Sequence, residues 1–116
     1  MTKYTNALQH SMTTREIEYD PEKAIINFQV HKIRFETASL VFADPLRIER
    51  RDDSESNTTR EERWQTLGMV KKVLFVVYTE RGEKTRIISA RAATKAEKRS
   101  YHGHDDNNRK GWSKAN

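Results

Sequence analysis

Arginines recur between Glu62 and Arg91 at spacings that could assemble a surface for gripping phosphate. Arg63 stands beside Trp64, Arg81 sits at a glycine turn, and Arg86 and Arg91 bracket Ile87-Ile88-Ser89-Ala90. A guanidinium stays charged and donates through a planar fork that matches phosphate oxygens. Several on one sheet face could hold a backbone phosphate and stabilise the charge that builds in its transition state. Neither a metal nor a cofactor is required. The competing reading is a solvated face whose arginines pair with Glu61, Glu62 and Glu80.

Other residues could share the chemistry. His31 could move protons near neutral pH, although a histidine at a helix end also serves simply to offset the helix dipole. Lys23 and Lys32 could add charge. Glu62 and Glu80 suit base work if they fall beside the arginines, which would lower their pKa and weaken them as bases. Tyr78 and Tyr101 could stack on or hydrogen-bond a nucleotide, while Tyr78 also adjoins an apolar strand and fits a half-buried core. The run His102-Gly103-His104-Asp105-Asp106 has metal-ligand residue types but no second cluster to close a site, so no functional metal is expected. The Ser54 to Thr59 run has no histidine partner, no phosphate-binding glycine loop exists, and Gly68 and Gly82 read as turn residues.

The positioning elements follow from pattern. Ile17 and Tyr19 alternate as in a short strand, and Asp20-Pro21 supplies a cap and first position for a helix ending near His31-Lys32. Ala24, Ile25 and Phe28 form its apolar face. A second helix is expected from Phe35 to Ala43, with Arg34 a poor cap and Asp44-Pro45 a stop. A strand at Leu46 and Ile48 runs into a polar loop, and three strands follow: about 62–69, 73–79 and 84–90. Val73 to Val77 is unbroken and suits a central strand, and Thr79-Glu80-Arg81-Gly82 suits a hairpin turn. Thr94 with Glu97 forms a capping box for a C-terminal helix. Residues 1–15 read as a flexible arm and 102–116 as a disordered tail, too polar to bury anything but Trp112.

Composition bounds the rest. A chain of 116 residues that is 34% hydrophobic closes one modest core, so a single domain is expected. Its net charge of +5 favours an acidic partner such as nucleic acid or an acidic protein tail. Without cysteine there is no disulfide scaffold or thiolate chemistry. No apolar run approaches the roughly 20 residues of a membrane span, and no secretion-signal core is visible, so a cytoplasmic location is expected.

The segments Tyr19-Asp20-Pro21-Glu22-Lys23-Ala24 with Asn27 and His31, Phe35-Glu36-Thr37-Ala38, Val41-Phe42 and Asp44-Pro45 occur in order. They are followed by Glu62-Arg63-Trp64, Leu67-Gly68, VLFVVYTERGEKTRIISAR and ATKAEKRSY. Together, from about Ile17 to Tyr101, they resemble the BrnT family of type II toxins. The resemblance implies an α+β, RelE-like domain over residues 16–101: a twisted antiparallel sheet of about four strands, two N-terminal helices and a short C-terminal helix. It also implies a ribonuclease that arrests translation, and a BrnA-like antitoxin in a 2:2 assembly that alone contacts operator DNA. The family's basic and polar pattern falls on Lys23, His31, Glu62, Arg63, Arg81, Arg86 and Arg91. Two departures are Lys32, where the family commonly has glycine, and Arg34, where it has a small hydroxyl residue.

The expected reaction is metal-independent and uses no cofactor: the RNA 2′-hydroxyl attacks its own 3′-phosphate. Arg63, Arg86 and Arg91 would clamp that phosphate, Arg81 would dock the strand with Lys23 and Tyr78, and His31 or Glu62 would handle protons. The alternatives are a non-catalytic module that binds nucleic acid or acidic protein, and a toxin that has lost its activity but keeps its partner. Arginines dispersed over opposite faces, or each tied to an acidic neighbour, would leave no such centre.

Overall fold

The apolar run Val73–Val77 becomes the middle of the molecule. A computed structural model describes residues 15–54, 61–103 and 111–115. In it the run lies within β4 (Lys72–Arg81), between β3 (Trp64–Val70) and β5 (Lys84–Ala92). Two further strands, β1 (Glu16–Glu18) and β2 (Ile48–Arg51), and the short β6 (Ser113–Lys114) complete a sheet of order β1-β5-β4-β3-β2-β6. All neighbours are antiparallel except β1, which runs parallel to β5. The expected sheet of about four antiparallel strands is thus a mixed sheet of six. The strand at Ile17 follows the expected alternation, but its parallel pairing with β5 leaves no mark on either sequence, and the two residues of β6 are too few to display a period.

One sheet face is covered by α1 (Pro21–His31), α2 (Phe35–Ala38) and the 3₁₀ turn Ser39–Ala43 that continues it. Phe35, Ala38 and Val41 are fully buried there against Leu74, Val76 and Ile87. Among the described residues the opposite face is covered only in part, by α3 (Lys95–His102), with Tyr101 and Trp112 closing over Ile48, Leu67 and Phe75. Local signals account for the ends. Asp20 accepts from the Glu22 N–H at 2.9 Å, and the Thr94 and Glu97 side chains form the expected capping box. Arg34 contributes no side-chain cap to α2. Lys32 takes the left-handed conformation at φ 61°, and its N–H closes on Phe28 O at 2.8 Å. The turn forms without glycine, at a steric cost borne by the lysine Cβ.

Three expectations are corrected. Gly68 is not a turn residue but lies inside β3, where a Cβ would meet the Val41 Cβ at 2.7 Å; its lack of a side chain lets the 3₁₀ turn sit on the sheet. Ile25 does not face the core: it is 60% exposed, with Ile26 and Val30 beside it, and the buried residue of α1 is Asn27. Residues 111–115 are not a disordered tail, because Trp112 is 6% exposed and Ser113–Lys114 pair with β2. Residues 1–14, 55–60, 104–110 and 116 lie outside the described residues, and with them most of the arm, the polar loop and His104-Asp105-Asp106.

Candidate functional site

In a regular strand, residues five apart point to opposite faces, so Arg86 and Arg91 ought to be separated by the sheet. They are not. Tyr78 pairs with Ile87 while Val77 pairs with Ser89, leaving Ile88 as the extra residue of a β-bulge. The bulge shifts the parity, so Arg86 opposite Thr79 and Arg91 opposite Phe75 share the partly covered face. Arg63 precedes Trp64, whose partner is Tyr78, and continuing that register brings it beside Thr79 from the other side. Arg63 and Arg86 therefore lie about 10 Å apart across β4, two strand spacings, with Arg91 about 13 Å further along β5. The sheet gathers the three on one face without stacking them on one point.

Their partners differ. Arg91 lies 3.9 Å above the Phe75 ring and gives both terminal nitrogens to the Glu97 carboxylate, at 2.9 and 3.0 Å. This bidentate pair latches α3 to the sheet. Burial pushes the Glu97 carboxyl up, but the hydrogen bonds from Arg91 and Thr94 outweigh it and hold the group below the ordinary carboxylate range. Arg86 gives only Nε to Glu18, at 3.1 Å. Its terminal nitrogens have no partner among the described residues. Arg63 approaches Glu61 at 4.0 Å without a hydrogen bond, and its Nε is buried and unpartnered. Arg81, on the exposed end of β4, donates to Glu61 at 2.9 Å.

Sequence reasoning missed Arg50. It pairs with Gln65 across β2 and β3, which places it diagonal to Arg63 at about 7–8 Å on the same face. Its alternation with buried Ile48 was the available signal.

Lys23 and His31 lie on one side of α1 and line a cleft of about 190 Å³ with Ile26, Val30 and the bulge residue Ile88. Asn27 fixes that helix to the sheet edge: its amide donates to Ala90 O at 2.9 Å and accepts from the Ala90 N–H at 3.1 Å, as a paired strand would. The α1 residues are thus placed beside β5 rather than over the arginines.

Two candidates point elsewhere. Glu62 accepts a hydrogen bond from Arg51, whose partner Trp64 belongs to the helix-covered face, so Glu62 does not join Arg63. Tyr78 is 4% exposed on that same face, edge-on to Phe42, and donates to Glu49 at 2.7 Å. Burial and that bond push its hydroxyl pKa up. It is core, not a stacking platform, because alternation along β4 turns it under the helices. Tyr101 is likewise buried and donates to Asp44 at 2.6 Å.

The fold and this face define a small α+β domain presenting guanidinium groups on the open side of a mixed sheet. Residues 19–97 match the model of the ribonuclease toxin BrnT of type II toxin-antitoxin systems. The chain belongs to that family. A search of curated proteins finds no match. Among solved structures, the 1.1 Å crystal structure of the Brucella abortus ribonuclease toxin BrnT is similar at a TM-score of 0.51 and 17% identity, over 71% of this chain and 100% of that one. At that identity the likeness concerns the fold.

Proposed function

We propose that the chain is a metal-independent endoribonuclease of a type II toxin-antitoxin pair, acting on RNA in the cytoplasm to inhibit translation. The observation that supports it best is the meeting of Arg63 and Arg86 on one face with donors left over for a ligand. The 2′-oxygen attacks phosphorus while the bond to the 5′-oxygen breaks, giving a cyclic phosphate and a free 5′-hydroxyl. Arg63 and Arg86 hold the phosphate oxygens as charge builds, and Arg81 and Lys23 guide the flanking backbone. Working from the cleft beside Ile88, His31 either takes the 2′-hydroxyl proton while water protonates the leaving 5′-oxygen, or protonates that oxygen while water takes the 2′-hydroxyl proton. Arg91 acts chiefly as the latch that keeps α3 in place. Glu62, on the other face, has no step.

The partner is a BrnA-like antitoxin, in a 2:2 assembly through antitoxin dimerisation, and operator DNA is contacted only through it. The aliphatic side of α1, Ile25, Ile26 and Val30, supplies exposed apolar surface on which such a protein can be held. No helix among the described residues is long and apolar enough to cross a membrane.

A second reading, a non-catalytic binding module, is favoured by the carboxylates already paired with Arg86 and Arg91. One experiment separates the two. Purified protein incubated with RNA in EDTA should release fragments with cyclic phosphate ends, and Arg63→Ala and Arg86→Ala should each slow release by about 100-fold. The matching DNA strand, lacking the nucleophile, should be bound and left whole. Intact RNA retained in a salt-sensitive manner would support the module instead, and cutting of DNA at a similar rate would reject the mechanism.

A further inference from the structure

We propose that Arg50 is a second phosphate-binding position on the open face, built by the C-terminal segment through Trp112. The position takes a backbone phosphodiester flanking the one held by Arg63 and Arg86, and so rests on the nucleic-acid reading of that face. Its geometry is independent of any catalytic step.

The Arg50 guanidinium carbon lies 4.1 Å from the centroid of the Trp112 ring, a contact that holds the cation flat on the indole. Nε donates to Gln65 Oε1 at 2.7 Å, and Gln65 Nε2 donates to Asp52 Oδ1 at 2.9 Å. The amide orientation is fixed by chemistry: a guanidinium only donates and an ionised carboxylate only accepts, so the glutamine oxygen must face Arg50. Gln65 and Asp52 are themselves buried, at 9% and 6% exposure. One edge of the guanidinium is thus held inward while four N–H donors on the terminal nitrogens have no partner among the described residues.

That arrangement separates Arg50 from its neighbours. Arg91 spends both terminal nitrogens on Glu97, and Arg86 and Arg81 each donate to a carboxylate. Arg50 has no carboxylate within ion-pair distance among the described residues, yet it is half-buried and stacked, so little rotamer freedom remains to be lost when an anion arrives. Its diagonal relation to Arg63 suits a neighbouring phosphate on one strand rather than the same one. Trp112 lies beyond the family match, which ends at residue 97, and immediately precedes β6, which is held by the pairing of Glu49 with Ser113 and by the Ala115 N–H to Arg47 O bond at 3.0 Å. Trp112 is a positioning residue; Arg50 touches the ligand.

The test uses the full chain and a single-stranded 2′-deoxy oligonucleotide, which cannot be cut, with binding measured across a salt series. Arg50→Ala should weaken binding about tenfold and reduce the slope of log affinity against log salt by about 0.7. Arg50→Lys should restore the slope but not the full affinity, since a point charge lacks the planar fork. Trp112→Phe should behave as wild type, and Trp112→Leu, folded by circular dichroism, should approach Arg50→Ala. If Trp112→Leu does not fold, the two Arg50 variants decide. An unchanged affinity and slope in Arg50→Ala would overturn the position, and a folded Trp112→Leu with wild-type slope would remove the role of the C-terminal segment. RNA cleavage by wild type and Arg50→Ala at equal rates also counts against the position while sparing the nuclease; Arg50-dependent binding without cleavage does the reverse.

Discussion

The proposed chemistry falls to single residues, and these were legible to different depths. Arg63, Arg86 and Arg91 stand out by type and spacing and fall on one face, although arginines paired with carboxylates on a solvated face fit the same pattern. Glu61 beside Arg63 was among the carboxylates named from sequence, but the partners of Arg86 and Arg91 could not be, since Glu18 and Glu97 reach them through a parallel strand pair and a helix return. Tyr78 was ambiguous in sequence because an aromatic at the end of an apolar run suits either side of a sheet. Lys32 was visible as a departure, and its consequence is energetic rather than architectural. A left-handed conformation costs a β-carbon residue about 1–2 kcal/mol, of which glycine would recover part after its larger unfolded-state entropy is charged against it. Lys32→Gly should therefore stabilise the fold by about 0.5–1 kcal/mol. Thermal unfolding should show a rise of about 3–5 °C, and a fall would mean that the lysine side chain contributes more than its backbone costs.

At the level of elements, capping and stop signals predicted the helices well because they act within a turn or two of chain. Asp20-Pro21, Asp44-Pro45 and the Thr94/Glu97 box each mark the boundary they mark in the structure. The faces of the elements were less legible. In α1 a polar residue, Asn27, takes the buried position because it substitutes for a missing strand along β5, and three aliphatics are left outside. Helix α3 depends on the Arg91–Glu97 latch as well as on Tyr101, and this makes its attachment acid-sensitive. Glu97 titrates lower in the folded chain than its ordinary value of about 4.3, so its contribution is present above that value and is lost as pH falls through the lower, folded one. Glu97→Gln should cost about 1–2 kcal/mol in urea unfolding at pH 7. The gap from wild type should narrow at pH 3; a gap that stays constant with pH would mean the carboxylate's charge contributes nothing.

Over the whole molecule, the excess of basic groups indicated an acidic partner, but not the side of the sheet that would meet it. That asymmetry comes from coverage among the described residues: α1, α2 and the 3₁₀ turn close one face, while α3 and Trp112 close only part of the other. Among the described residues the sheet gains its last strand, β6, from a two-residue stub in a segment whose composition looked too polar to order.

The bulge at Ile88 leaves the protein unusually indifferent to one kind of length change. Losing that codon would cancel the surplus residue, restore an unbroken ladder, and keep Arg86 and Arg91 as neighbours on one side. The same loss removes a wall of the recess holding Lys23 and His31. A chain lacking Ile88 should therefore fold and retain oligonucleotides while cutting them poorly, and a deletion that abolished retention would show the kink to be needed for aim as well as for parity.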